Sequence, residues 1–148
     1  MRDPFVDNIF FTATLIELVA RKTQNTRRYV AEKLGMDGIA KVYQFADVNH
    51  CLSMDQNCDE LIRTYGLMPG TFAPEKDAET VPSPFAIGQN YAWMVQDLQP
   101  DPNKYPETLY NILTSKISEW MTFYDNAFYY SPVDYLVGAY KALQKGNA

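Results

Sequence analysis

The spacing of the apolar residues constrains this chain most. From Phe5 to Leu143 they recur at intervals of three and four. No segment alternates with the period of two that a half-buried strand requires over more than a few residues. The chain therefore reads as all-α. Its first helix is the clearest case. Asp3-Pro4 pairs an N-cap acceptor with a proline at the first helical position, where a missing N–H costs nothing. Phe5, Ile9, Ala13, Ile16 and Ala20 then share one face, with Val6, Phe10 and Leu15 beside it. So broad an apolar surface predicts a central helix covered on several sides. It should end near "KTQN" at 22–25.

Asn25 or Thr26 caps the next helix, with Tyr29, Val30 and Leu34 inward. The glycines of "GMDG" at 35–38 interrupt it, because two so close favour a turn. The period resumes through Ile39, Val42, Tyr43, Ala46 and His50. "SMDQ" at 53–56 is a capping box, with Ser53 as N-cap and Gln56 at the third helical position. Cys58, Leu61, Ile62 and Tyr65 follow at helical spacing, and Gly66 is a natural stop. Residues 67–83 hold prolines, glycine and mixed charge and read as a linker. Ser83-Pro84 repeats the cap-plus-proline device before the stripe Ile87, Tyr91, Met94, Val95 and Leu98. "QPDPNKYP" at 99–106 is a loop. Leu109, Ile112, Leu113, Ile117, Trp120 and Tyr124 form one long stripe. Ser131-Pro132 opens the last helix, with Asp134 completing a capping box and Val133, Leu136, Val137, Tyr140 and Leu143 inward.

The expectation is a single all-α domain over 1–148, a compact bundle of about six helices. Three lie in 3–66 and three in 84–145, on either side of the 67–83 linker. The echo of "DPF" at 3–5 in "SPF" at 83–85 suits a degenerate 3+3 arrangement, or only shared capping rules. A chain of 148 residues is long enough to bury a core without staples. Its 47% hydrophobic and 21% charged residues are those of an ordinary globular protein. The 11 tyrosines point to half-buried rings or a surface that meets another molecule.

Charge narrows the function classes. A net charge of −5 argues against a general phosphate-backbone binder. The basic clusters, "ARK" at 20–22 and Arg27–Arg28, read as a solvated face. Two cysteines and a start, "MRDPF", that is no secretory leader suggest a cytoplasmic protein. The most apolar run, "IFFTATLIELVA" at 9–20, is too short to span a bilayer and carries Glu17.

The most chemical stretch is "DVNHCLSMDQNCDE" at 47–60, which holds the only histidine and both cysteines. A structural zinc site wants four ligands and close cysteine pairs. Here six residues separate Cys51 from Cys58 across a turn, with His50 alone beside them. Cys58 falls on an apolar stripe, where a free cysteine is a small hydrophobe. His50 sits on the inner face at a helix end, beside unpaired carbonyls. Cys51 precedes a helix start, but no orienting third group can be assigned to make it a nucleophile. Phosphate-cradling glycine loops are absent. No catalytic residue, metal or cofactor is therefore expected.

Residues 26–45 imitate a helix-turn-helix, with "AEKLGM" as the turn. The would-be recognition helix, "DGIAKVYQFADVN", carries more acid than base and would repel phosphate. In "TFYDNAFYYSPVDYL" at 122–136, aromatic rings surround Asp125 and Asn126. Tyrosine is enriched at interfaces, so Tyr124, Asp125, Tyr129 and Tyr130 form the candidate partner-binding surface. The other reading is that these rings close the end of the bundle.

The stretch from "NIFFTATLIELV" to "LIRTYGL", residues 8–67, resembles a family of small uncharacterised helical proteins from Firmicutes. Its matching residues are Tyr43, His50, Ser53, Leu61 and Ile62, while the double-glycine break and Asn49 depart from the family pattern. The resemblance implies a helical fold. Some members are encoded beside ADP-ribosyltransferase-like proteins, which implies a protein partner of toxin-like or mobile-element origin. It supplies no catalytic residue. The expected function is a non-catalytic, acidic protein–protein interaction module. The alternative is a helix-turn-helix-like DNA-binding or regulatory module using residues 26–50. The expected partner is another protein rather than nucleic acid or a membrane, with the oligomeric state open.

Overall fold

The computed structural model describes residues 3–74, 81–121 and 132–146, and among these every regular element is helical. The α-helices are α1 (Pro4–Thr23), α2 (Arg27–Gln44), α3 (Ala46–Asn49), α4 (Met54–Tyr65), α5 (Pro84–Leu98), α6 (Tyr105–Leu113), α7 (Lys116–Trp120) and α8 (Val133–Gly146). The helical bundle is as expected, with eight α-helices rather than six among the described residues. The two extra pieces arise where one expected helix breaks. The stripe from Leu109 onward is divided at Thr114 and Ser115, whose hydroxyls donate to the carbonyls of Tyr110 and Ile112. Such local bonds compete with the helical ladder. The second break separates α3 from α2 at Phe45.

Capping follows the sequence closely. Asp3 accepts from the Phe5 amide and Ser83 from the Ala86 amide, each before a proline. Thr26, not Asn25, caps α2. Ser53 and Gln56 make both bonds of the capping box, and Gly66 ends α4 in the left-handed region. Gly35 has φ +70° and ψ 173° inside α2. That conformation suits glycine and bends the helix where "GMDG" predicts a break.

α1 is the central helix, and α5 and α2 pack along it. The core is continuous across the chain. Ile9, Ile16 and Val30 from the first half lie in one cluster with Ile87, Met94 and Ile112 from the second. Each fully covered side chain of this size contributes about 1.5–3 kcal/mol relative to exposure. α1 and α5 meet at Gly88. A Cβ built there would lie 2.0 Å from Thr14 Oγ1 and 2.9 Å from the Thr14 backbone, so only glycine allows this approach.

The described part of the expected linker is tied to the bundle. The Gly70 and Phe72 amides donate to the carbonyls of Thr23 and Gln24. Met68 is held from both sides, its carbonyl accepting from Asn25 and its amide donating to Tyr29 Oη. Leu67 is buried. Within 99–106, residues 102–104 form a 3-10 turn capped by Asp101, and α6 already starts at Tyr105.

The basic cluster at 27–28 departs from its expected solvated face. Arg28 is on the surface, paired with Glu119 at 2.6 Å. Arg27 is 6% exposed and faces Glu17, which is 2% exposed. Arg27 Nε lies 2.5 Å from Glu17 Oε1, and Arg21 Nε lies 2.7 Å from Glu17 Oε2. Arg27 also donates to Tyr91 Oη at 3.3 Å and to the Met121 carbonyl at 3.2 Å. Tyr91 Oη in turn lies 3.2 Å from Ser118 Oγ. A charge so deeply buried persists only when paired and hydrogen-bonded. This knot joins α1, α2, α5 and α7. Helical spacing shows that Glu17 and Arg21 share a face; it cannot show that Arg27, beyond a turn, folds back onto them.

Candidate functional site

The first half of α1 builds the candidate site. Phe10 and Phe11 are consecutive, so their rings leave the helix about 100° apart and cannot share one partner surface. Phe11 is buried and meets the His50 imidazole, with ring centroids 4.6 Å apart and planes tilted by 46°. Phe10 is partly buried and faces Phe85 in the first turn of α5, at 6.4 Å. Between them opens a cleft of about 360 Å³, completed by Thr14 below and by Leu52, Ser53 and Met54 from the α3–α4 turn. Leu52 and Phe85 stay 46% and 52% exposed.

A second cleft of about 290 Å³ adjoins it and shares Phe10 and His50 as walls. Its other walls are Pro4, Asp7 and Asp47. The Asp47 carboxylate is held in place from α1. With its amide nitrogen turned toward the acceptors, buried Asn8 donates to Asp47 Oδ1 at 3.0 Å and to the Pro4 carbonyl at 3.1 Å. The joined trough is thus apolar at one end and acidic at the other, with the histidine between. Among the described residues, neither lining contains a lysine or arginine.

Thr14 explains the floor. Thr12 and Thr23 each donate to the carbonyl four residues back, at 2.7 and 2.8 Å. Thr14 Oγ1 has no hydrogen-bond partner among the described residues. Its hydroxyl is pressed against the α1–α5 crossing at Gly88.

The candidate residues of the sequence separate. His50 is exposed at the C-terminal end of α3, not on an inner face. α3 is only four residues long: Ala46 continues the buried stripe of Val42 and Tyr43, but His50 is already the C-cap, where the chain turns away. Cys51 is exposed and Cys58 buried, and both are free thiols. Burial pushes the Cys58 thiol up to about 11, with Lys22 opposing and Asp55 and Asp59 adding. That is the behaviour of a core residue, not of a thiolate nucleophile or ligand. Among the described residues no group of three or more His, Cys, Asp or Glu side chains is placed to hold a metal ion. Tyr124, Asp125, Tyr129 and Tyr130 lie outside the described residues, as does the Ser131 cap.

The stretch resembling a helix-turn-helix does bend at Gly35. Beyond it Ile39, Val42 and Tyr43 are buried, while Met36, Asp37, Lys41 and Gln44 face out. One cation against one carboxylate offers a phosphate backbone no net attraction. Among the described residues no helix is long and apolar enough to cross a membrane.

Sequence reasoning missed the cleft. Two signals point to it: the adjacent pair Phe10-Phe11, and the phenylalanine Phe85 in the first turn of the proline-started α5. A ring in a first turn sits at an end of a bundle, where few neighbours can cover it. Comparison with protein-family models, curated proteins and solved structures finds no match.

Proposed function

We propose that this chain is a non-catalytic, acidic helical module that binds another protein through the trough between α1, the α3–α4 turn and the start of α5. One observation carries the reading. A chain that packs its core without a gap at Ile9, Ile16 and Ile87 leaves Leu52 and Phe85 exposed around one cleft. Scattered exposed apolar residues are ordinary, but two that rim one concavity, with Phe10 and Met54 half-covered beside them, favour a contact surface. Ser53, His50 and Asp47 all line the trough, but Ser53 Oγ is engaged as the cap acceptor of the Gln56 amide and Asp47 is held by Asn8, which favours binding over catalysis. An effector of toxin-like or mobile-element origin, the partner class implied by the family resemblance, belongs to the same reading.

The test is a paired pull-down from cells of the source organism, with retained proteins identified by mass spectrometry. Leu52→Ser with Phe85→Ser removes the exposed walls and should change stability by only about 0.5 kcal/mol each. The expected result is loss of the retained partner with unchanged helix content by circular dichroism. Tyr129→Ala with Tyr130→Ala is the companion variant. Retention that survives the first pair and is lost with the second moves the interface to the tyrosine-rich segment and sinks the trough.

A further inference from the structure

The two ends of the trough differ in chemistry, and that difference selects an occupant. We infer that it receives a cationic amphipathic segment of a partner protein. A large apolar side chain enters the cleft between Phe10 and Phe85, and a lysine or arginine beside it meets Asp47. The inference rests on the proposed docking function and specifies its ligand.

The apolar end is large enough for a leucine, methionine or phenylalanine anchor, with about 360 Å³ between its walls. Its rims are half exposed, so it covers one face of a guest. A small molecule binds best where most of its surface is enclosed. An apolar side chain carried on a helix or loop needs only its tip covered, as in helix-in-groove recognition.

The acidic end sets the sign of the neighbouring charge. Asp7 and Asp47 line it, no lysine or arginine among the described residues stands in either lining, and the chain as a whole carries −5. Asn8 fixes the Asp47 carboxylate on one oxygen. A carboxylate accepts several hydrogen bonds, so the group is pre-oriented with capacity left for an incoming cation. A carboxylate on the guest would meet like charge at the same place, which makes the trough selective as well as attractive.

The probes are three labelled peptides of about 15 residues, long enough to be partly helical. They share one Leu/Phe face and differ only in carrying Lys, Gln or Glu on the flanks. Affinity is read by fluorescence anisotropy against the full chain. The Lys peptide should bind roughly three- to tenfold tighter than the Gln peptide, and the advantage should shrink as salt is raised. The Glu peptide should be weakest. Asp47→Lys should reverse the Lys–Glu order, and Leu52→Ser with Phe85→Ser should weaken all three.

Equal affinities that still depend on Leu52 and Phe85 overturn the charge assignment and leave the docking function standing. Binding unaffected by the Leu52 and Phe85 changes overturns the trough itself. No binding by any peptide overturns the cationic segment, and the pull-down then judges the docking function alone. Self-association in sedimentation that Leu52→Ser and Phe85→Ser abolish makes a second copy the occupant and overturns the inference.

Discussion

The two halves of α1 handle polar and apolar groups in opposite ways. Toward its C-terminal end, Glu17 takes a charge into the core and surrounds it with Arg21, Arg27 and, through Arg27, Tyr91. Toward its N-terminal end, Phe10 and the neighbouring Phe85 leave aromatic surface at a cleft beside the carboxylates of Asp7 and Asp47. The first region satisfies its expensive groups internally, so it holds the helices in place. The second leaves its apolar surface for something else to cover. One helix thus carries a buried network at one end and, at the other, the open trough on which the proposed docking rests.

The largest effect should come from breaking the knot. Arg27→Met takes from the buried Glu17 its most deeply buried cation, leaving the partly exposed Arg21 beside it, and should cost about 3–5 kcal/mol in urea unfolding. Replacing both, Glu17→Met with Arg27→Met, should cost less than Arg27→Met alone, because no deeply buried charge remains and Arg21, one-fifth exposed, keeps its bond to the Pro82 carbonyl. If the single change is nearly neutral, the knot does not carry the structural role that sets it against the trough.

Next comes the crossing that joins the two regions. Gly88→Ala places a methyl 2.0 Å from Thr14 Oγ1 and 2.9 Å from backbone, so α5 must move away from α1. Overpacking of this kind costs about 1–3 kcal/mol. Thr14→Ala in the same chain should recover part of the loss, since it removes the hydroxyl and not the backbone contact. Full recovery would mean that the crossing is set by the side chain alone.

How much of this contrast was legible in the sequence differs between the two regions. Caps were read directly, because Asp3, Ser53 and Ser83 act on amides two or three residues away. The stripes of α1 and α5 were legible for the same reason, since period alone places Ile9, Ile16, Ile87 and Tyr91 inward. Arg27 was misread as solvated because its partner Glu17 lies across a turn, and Tyr91 lies 64 residues further on. His50 reads as inward from its period but ends outward because it is the C-cap of the short α3, where the chain leaves the helix, while Ala46 on the same stripe stays buried. The trough was invisible for a third reason. Its walls come from α1, the α3–α4 turn and α5, and only tertiary folding brings Phe10, Leu52 and Phe85 together.

A smaller effect tests the lip of the trough. Ser53→Ala removes one bond of the capping box at the start of α4 and should cost about 1 kcal/mol. Ser53 and Met54 are walls of the cleft, so fraying there should also weaken the Lys peptide more than an equally destabilising change far from it. If affinity falls only in step with stability, the cap supports the fold and not the trough.

The smallest effect brings the comparison down to two thiols seven positions apart. Cys51 is exposed at the turn, and Cys58 is buried under α1 with its thiol pushed up to about 11. In the native chain at pH 8, a disulfide-exchange reagent should modify Cys51 at once. It should reach Cys58 at least about a hundredfold more slowly, since that thiol must first open to solvent and then ionise. The same burial gives a pH signature. The unfolded thiol ionises near its ordinary value of 9.0 while the folded one remains protonated to about 11. Its contribution to stability is therefore intact below pH 9 and is lost as the pH rises through 11. Across that window the parent chain should lose more stability than Cys58→Ala, which has no thiol to ionise. Equal reaction rates for the two thiols would place Cys58 at the surface and remove the sealed side of the contrast from α4.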